Sequence, residues 1–191
     1  MNYYIADLHF GHANAISFDN RPFETVEEMN EALILNWNAR VTPEDTVYVL
    51  GDMFMKHTDR CAAILAQLNG HKHLISGNHD RLTPRIAIHW ESVQPYLEVN
   101  DGSKHIIMCH YPMPFYHGAH QGTVMLYGHV HKSAEWKMQE RWKQECWERK
   151  IPCNMVNVGC MMSYMNYTPR TLAEILAANP IYSKAKRGKQ L

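Results

Sequence analysis

The chain lacks the marks of several protein classes. Its five cysteines are an odd number with no CxxC pair, set mostly in apolar stretches (Cys61, Cys109, Cys160), so reduced thiols are expected rather than a disulfide framework. Neither charge is in excess: 19 basic side chains meet 19 acidic ones. That balance gives no long-range attraction for nucleic acid or an acidic membrane, and any anion handling must be local. No apolar run approaches the roughly 20 residues of a membrane span, and the first residues form neither a basic nor an apolar signal segment. A cytoplasmic enzyme with no membrane partner is therefore expected. Repeats, low-complexity tracts and linkers are also missing. What remains is 191 residues, 46% of them hydrophobic, enough for a single core that buries roughly 70% of the surface of the unfolded chain. One domain is expected over 1–182, followed by a basic tail at 183–191.

Histidine is the abundant entity, 13 residues with no consecutive run, and asks for a chemical explanation. The chain alternates strand and helix patterns. Residues 2–6 and 46–50 read as buried strands, and 72–76 as a third. Thr25 with Glu28 makes a capping box for a helix to about Arg40. Thr58 caps a second helix that ends at Asn69-Gly70, and Thr83-Pro84 opens a short one to Trp90. The runs 93–99 and 104–109 flank Asn100-Asp101-Gly102 as an antiparallel hairpin. A strand at 123–127, a tryptophan-bearing helix over 135–149, a strand near 154–158 and a capping box at Thr171 and Glu174 complete a layered α/β domain with mixed strand directions.

Residues with metal-ligand chemistry fall at the carboxyl ends of these strands. Asp7 and His9 follow the first, Asp52 the second, Asn78 and His79 the third, His110 the hairpin's return strand, and His129 with His131 the next. In layered α/β folds that edge is where loops converge into sites. A lone Asp after a strand is usually a cap or turn former, and a lone histidine is ordinary polar surface; five coincident placements predict one shared cluster. The i, i+2 pairs Asp7/His9 and His129/His131 point the same way if the local chain is extended. Two carboxylates, one amide and four imidazoles exceed the needs of a four-coordinate zinc, and two ions sharing a bridge fit better, with Asp52 the natural bridging group. Mixed oxygen and nitrogen donors without cysteine suit manganese, iron or zinc.

In order and approximate spacing, Asp7-Leu8-His9, Gly51-Asp52, Gly77-Asn78-His79-Asp80, His110 and Gly128-His129-Val130-His131 resemble the calcineurin-like metallophosphoesterases. The opening DLHFGH with NRPF at 20–23 is similar to a small bacterial and phage-borne branch. The resemblance implies an αββα sandwich of two mixed sheets flanked by helices, with a dinuclear site at their loop ends. It implies one divalent transition metal on Asp7, His9, Asp52 and His131, and another on Asp52, Asn78, His110 and His129. Mn2+ is the expected ion, with Fe, Zn or Ni as alternatives. His79 would contact the phosphate and protonate the leaving group, with Asp80 as its carboxylate partner. The implied reaction is attack of a metal-bridging hydroxide on a phosphoric ester, monoester or diester, of a small molecule or nucleotide; nucleic acid stays open as a substrate. Few long insertions predict an open site, which favours diesters or bulky nucleotides.

Many relatives carry an acidic residue shortly after the bridging Asp, where this chain has Met53-Phe54-Met55. His12 and Arg21, on the first site loop, supply the local positive charge that an anionic ester needs and are expected to bind substrate. Tyr111 and Tyr116, beside His110, stack on an aromatic leaving group or pack in the core. The other histidines (His57, His71, His73, His89, His105, His117, His120) have no motif support and are expected mostly at the surface. On the 135–149 helix, Met138, Trp142 and Cys146 form one stripe and Trp136 with Trp147 another. The first is expected to cover the core, leaving the tryptophan pair for a homodimer contact or the site entrance. Two other readings stand beside the hydrolase: a catalytically silent metal-binding or interaction module on the same fold, and a mononuclear iron oxygenase, which leaves Asn78 and two imidazoles unexplained.

Overall fold

The computed structural model describes residues 1–55 and 59–182. Its elements are β1 (Asn2–Ile5), α1 (Ala13–Phe18), α2 (Val26–Asn38), β2 (Thr46–Val49), α3 (Asp59–Leu65), β3 (His71–Ile75), α4 (Pro84–Ala87), β4 (Ser92–Gln94), β5 (Tyr96–Asp101), β6 (Lys104–Cys109), β7 (Val124–Tyr127), α5 (Ala134–Glu148), β8 (Met155–Asn157), β9 (Arg170–Thr171) and α6 (Leu172–Ala178). One sheet has the order β4-β3-β2-β1-β9, parallel except for β9. The other runs β5-β6-β7-β8, parallel except for β5. The result is the αββα sandwich of two mixed sheets flanked by helices. The cap expected at Thr58, His57 and the basic tail at 183–191 lie outside the described residues.

Alternation along the strands sorts the core into layers. In the second sheet Ile106, Met108, Val124, Leu126 and Val156 join the large core that also holds β1, β2 and the α2 residues Met29, Leu33 and Trp37. Their neighbours Ile107, Met125, Tyr127 and Met155 turn to the opposite side, into a smaller core with Cys146 of α5. Two contacts tie the sheets together. Tyr4 stacks on Tyr48 across paired strands, and its hydroxyl donates to Asp101 Oδ2 at 2.9 Å, on β5 of the other sheet. At the opposite end of β1, Ala6 N–H donates to Val158 O and Cys160 N–H to Ala6 O, both at 2.8 Å.

Several sequence expectations need correction. The run 93–99 is not one hairpin strand: Ser92–Gln94 pairs with β3, and Tyr96–Asp101 pairs with β6. Pro95 lies between them, where its missing N–H cannot interrupt either ladder. The hairpin turn sits later than expected, at Gly102-Ser103, because Asp101 still pairs with Lys104. Helix α4 stops at Ala87 instead of Trp90. Thr25 accepts from Glu28 N–H, but the Glu28 carboxylate takes Glu24 N–H rather than closing the box. The box at Thr171 and Glu174 forms completely. No disulfide forms among the described residues, and no helix among them is long and apolar enough to cross a membrane.

Helix α5 buries both of its expected stripes in part, not the first alone. Cys146 and Trp142 pack on the smaller core as expected, but Met138 is 62% exposed, while Trp136 packs on both cores and Trp147 on the smaller one. Between the tryptophans lies Lys143, buried, its ammonium bonded to Glu140 and 5.7 Å from the Trp147 ring. Trp147 Nε1–H donates to Cys153 O at 2.8 Å. Both stripes turn inward because Lys143, between them, is itself buried, and a lysine that snorkels reads as surface. The tryptophan pair belongs to this chain's own packing, and the dimer reading built on it loses its basis. Changing both tryptophans to Gln should therefore lower stability by about 2 kcal/mol or more, roughly 4–8 °C in Tm, with an unchanged sedimentation profile. An unchanged Tm with an altered profile would show that the pair faces a partner.

Candidate metal centre

The loops after β1, β2, β3, β6 and β7 meet at one edge of the sandwich, where the first two run side by side. Asp7 N–H donates to Gly51 O, His9 N–H to Asp52 O and Phe10 N–H to Met53 O. Asp7, His9, Asp52, His129 and His131 all adopt positive φ, from 47° to 69°. This region costs a non-glycine residue on the order of 1–2 kcal/mol, and such strain concentrates at functional sites. The i, i+2 pairs thus share a site, but through left-handed turns, not an extended chain. Leu8 and Val130, the residues between, point into the core. Glycine is required where these loops touch. A Cβ on Gly51 would lie 2.2 Å from His110 Nδ1, and one on Gly128 would lie 2.8 Å from Asp7 Oδ2.

Six of the seven expected ligands gather into two groups, each with its ligand atoms within 4.8 Å of one another: Asp7, His9 and His131, and Asp52, His110 and His129. The seventh, Asn78, places Oδ1 3.2 Å from His110 Nε2. Asp52 Oδ2 stands between the groups, 3.8 Å from His9 Nε2 and 3.5 Å from His110 Nε2. Its other oxygen accepts from His79 N–H at 3.0 Å. Asp7, wholly buried, accepts His129 N–H with both oxygens.

Backbone and carboxylate acceptors orient the imidazoles from behind. His110 Nδ1 bonds Leu50 O at 2.8 Å, which turns Nε2 toward Asp52. His131 Nδ1 bonds both oxygens of Asp19, at 2.9 and 3.0 Å, which turns Nε2 to within 3.2 Å of His9 Nε2. Carboxylates or carbonyls on the rear nitrogen are how proteins fix the tautomer of metal-binding histidines. Asp19 was not singled out by sequence reasoning. Its only signal is its place between the first site loop and Asn20-Arg21.

The electrostatics favour cations. Burial pushes the Asp7 carboxyl up, against the charges of His131 and His110. Burial also pushes Asp52 up, but His110 outweighs it and holds the group at about 2. Burial and the His131 charge drive His9 down to about 3. His129 is lowered by burial and by His110. Burial opposes charge on His110, yet its bond to Asp52 and the charge of Asp7 raise it to about 8. His131 is likewise raised, against burial, by Asp19 and Asp7. With Nδ1 committed to Asp19, His131 directs a lone pair or a proton at His9 Nε2, and two facing imidazole nitrogens need a cation or a proton between them. Carboxylate, amide and imidazole donors without thiolate fit hard-to-borderline divalent ions.

Two expected roles change. Arg21 is 4% exposed, and its guanidinium faces inward. It donates to Asp7 O and Leu8 O, and to Asp19 Oδ2 through both Nε and Nη2. It clamps the first site loop to Asp19. Asp80 accepts Gly77 N–H, Asp52 N–H and Met53 N–H, so it locks two loops together rather than backing the His79 imidazole. This carboxylate also serves the Met53 loop, which lacks an acid of its own. His79 is 37% exposed with Nε2 4.0 Å from Asp52 Oδ2. The His12 ring lies 5.4 Å from that of His9, and its Nδ1 is buried without a hydrogen bond. The exposed Tyr111 packs its ring 4.6 Å from that of His129, whereas Tyr116 packs against the smaller core.

Comparison with known proteins finds similar chains and a shared fold. No protein-family model matches the chain. An uncharacterised protein of Methanocaldococcus jannaschii is 44% identical over 88 residues, 45% of this chain, which spans half the length of that relative. The gene 66 protein of Mycobacterium phage D29 is 29% identical over 157 residues, covering 68% of this chain and 77% of its own. A protein of unknown function from Aquifex aeolicus has the same fold, with a TM-score of 0.70 and 24% identity over 93% of this chain and 98% of its own.

If Arg21 is a buried clamp, Arg21→Met should reduce stability in urea at pH 7 by about 1.5–3 kcal/mol or more, since it leaves buried Asp19 with His131 alone and takes the donor from two loop carbonyls. Burial pushes Asp19 up, but His131 and Arg21 outweigh it and hold the carboxyl below its ordinary value. Its contribution is therefore full above about pH 4 and is lost as pH falls toward the depressed value. The deficit of the variant should narrow over that acid range. A urea midpoint equal to wild type would return Arg21 to substrate binding.

Proposed function

We propose that the chain is a metal-dependent hydrolase of phosphoric esters with a dinuclear centre. The observation that carries this reading is the convergence of two ligand groups on Asp52, whose Oδ2 lies within 4 Å of imidazoles from both. Asp7, His9, Asp52 and His131 would hold one divalent ion, and Asp52, Asn78, His110 and His129 the other; Mn2+ suits this donor set, with Fe, Zn and Ni as alternatives. Such ions acidify water at neutral pH and neutralise charge on phosphoryl oxygens. The order of the motifs, which resembles that of the calcineurin-like metallophosphoesterases, supports the same reading.

The remaining work falls to the chain's own side chains. His79 stands on the open side of Asp52, its N–H anchored on Asp52 Oδ1, where its imidazole can contact the phosphate and deliver a proton to the departing oxygen. Asp80 positions it, because its bonds to Gly77, Asp52 and Met53 fix the loop that carries His79 against the loop that carries Asp52. His12 offers its unpartnered Nδ1 beside His9 as a further contact for an anionic substrate. Tyr111, exposed on the His129 side, makes a flat wall for an organic ester group. The accessible rim suits nucleotides and other phosphorylated small molecules.

Metal-stripped protein reloaded with Mn2+ should hydrolyse members of a panel of aryl and alkyl mono-, di- and cyclic phosphate esters. His79→Ala should lower kcat by about 10² to 10⁴ at unchanged metal content, with a smaller loss for aryl esters, whose leaving groups need less proton donation. Equal losses for aryl and alkyl esters would assign His79 to charge stabilisation. Full metal loading with no turnover of any ester would favour a silent binding module.

A further inference from the structure

Away from the candidate centre, a second set of ligand-type side chains meets on the β5–β6 hairpin. Glu98 pairs with Ile107 and Asn100 with His105, so Glu98, Asn100 and His105 project from one face of the sheet at alternate positions. The loop between β6 and β7 lays His117 against that face. His105 Nε2 is 2.7 Å and His117 Nδ1 3.1 Å from one and the same atom, Glu98 Oε2. The three ligand atoms lie within 4.8 Å of one another.

The surroundings of this trio resemble those of a built site. His105 Nδ1 is 2.9 Å from Asn100 Oδ1, and the Tyr96 hydroxyl donates to Glu98 Oε1. Each ring nitrogen of His105 therefore faces an acceptor oxygen. Nε2, the nitrogen turned to Glu98, is the one that a cation shared with that carboxylate would take. An amide behind the imidazole and a phenol on the second carboxylate oxygen are the kind of outer bonds that orient metal ligands. His117 is delivered between two anchored neighbours. Tyr116 Oη accepts Asn154 N–H at 2.7 Å, and Gly118, at φ 71°, packs where a Cβ would lie 2.3 Å from Thr123 Oγ1.

We propose that Glu98, His105 and His117 form a separate site for one divalent transition-metal ion, with zinc as its best match. Two imidazoles and one carboxylate without thiolate are an established zinc donor set, and three protein donors leave a fourth position for water. An ion held there staples the loop at 110–123 to the hairpin. That loop begins at His110 and Tyr111, so the staple sets the wall beside the candidate centre from its far side. The site draws on no residue of that centre and does not depend on the proposed hydrolase activity.

The test is a count of zinc per full-length chain, after metal stripping, exposure to Zn2+ at pH 7.5 and dialysis. Wild type is compared with His117→Ala, Glu98→Gln and a control, His120→Ala, on an exposed residue outside the trio. The expected result is one equivalent fewer in His117→Ala and Glu98→Gln and no change in the control. Because the readout is a difference of one equivalent, it holds whether the candidate centre takes two ions, one or none. Should Glu98→Gln fail to fold, as read by circular dichroism, His117→Ala at its exposed position decides the matter alone. Equal zinc content in wild type and His117→Ala overturns the proposal, and so does an equal loss in the control.

Discussion

The candidate centre depends on a seam. Where β1 runs out, Ala6 bonds to Val158 and Cys160 on the far side of β8, joining a central strand of one sheet to the edge strand of the other. Two backbone bonds thereby fix how the sheets lie at that edge. The next residue, Asp7, is left with no access to solvent, its carboxylate held between the first loop and the amide of His129. Gly128 and Gly159 sit where any Cβ would collide with Asp7. The close approach of the sheets, the glycines and the buried carboxylate are one constraint seen from three sides.

That constraint explains why the site is strained and strongly charged. Five residues that carry ligand-type side chains hold left-handed backbone conformations, which a folded chain sustains only when neighbouring bonds over-determine them. The bonds from Asp7, His9 and Phe10 to the Asp52 loop do so, as do those of Asp80 to three amides and of Arg21 to the carbonyls of Asp7 and Leu8. Asp7, Asp19 and Asp52 bring three carboxylates into a space where Arg21 is turned away from the centre. The field of these carboxylates raises His110 and His131 against the pull of burial. Carboxylates that favour charge on these two imidazoles favour a bound cation in the same space.

Much of this was legible in the sequence because strand ends are legible. Buried runs such as 46–50 and 123–127 stop at Gly-Asp and Gly-His, and the ligand-type residues follow at once, so their convergence could be read without coordinates. The sheet switch at Pro95 was hidden, since 93–99 carries one continuous strand pattern and no local signal tells which sheet each half joins. Arg21 and Asp80 have partners in the fold that the sequence pattern does not show. A charged residue in a site loop is naturally assigned to the ligand, while the backbone groups that both of these bond, Arg21 beside its pairing with Asp19, leave no mark in side-chain patterns. Asp19 escaped notice because its partner His131 lies 112 residues away. On helix α5 the inward turn of Trp136 and Trp147 was hidden by Lys143, whose charge masks a buried position.

The central claim is that Asp52 joins two ions in one centre, and the magnetic coupling between those ions tests it most directly. Mn2+ titrated into the metal-stripped chain should give, at two ions per chain, the exchange-coupled electron paramagnetic resonance spectrum expected of ions about 3.5–4 Å apart. Asp52→Asn should remove that coupling. Uncoupled six-line signals at full loading, or saturation at a single ion in these ligand groups, would contradict the account.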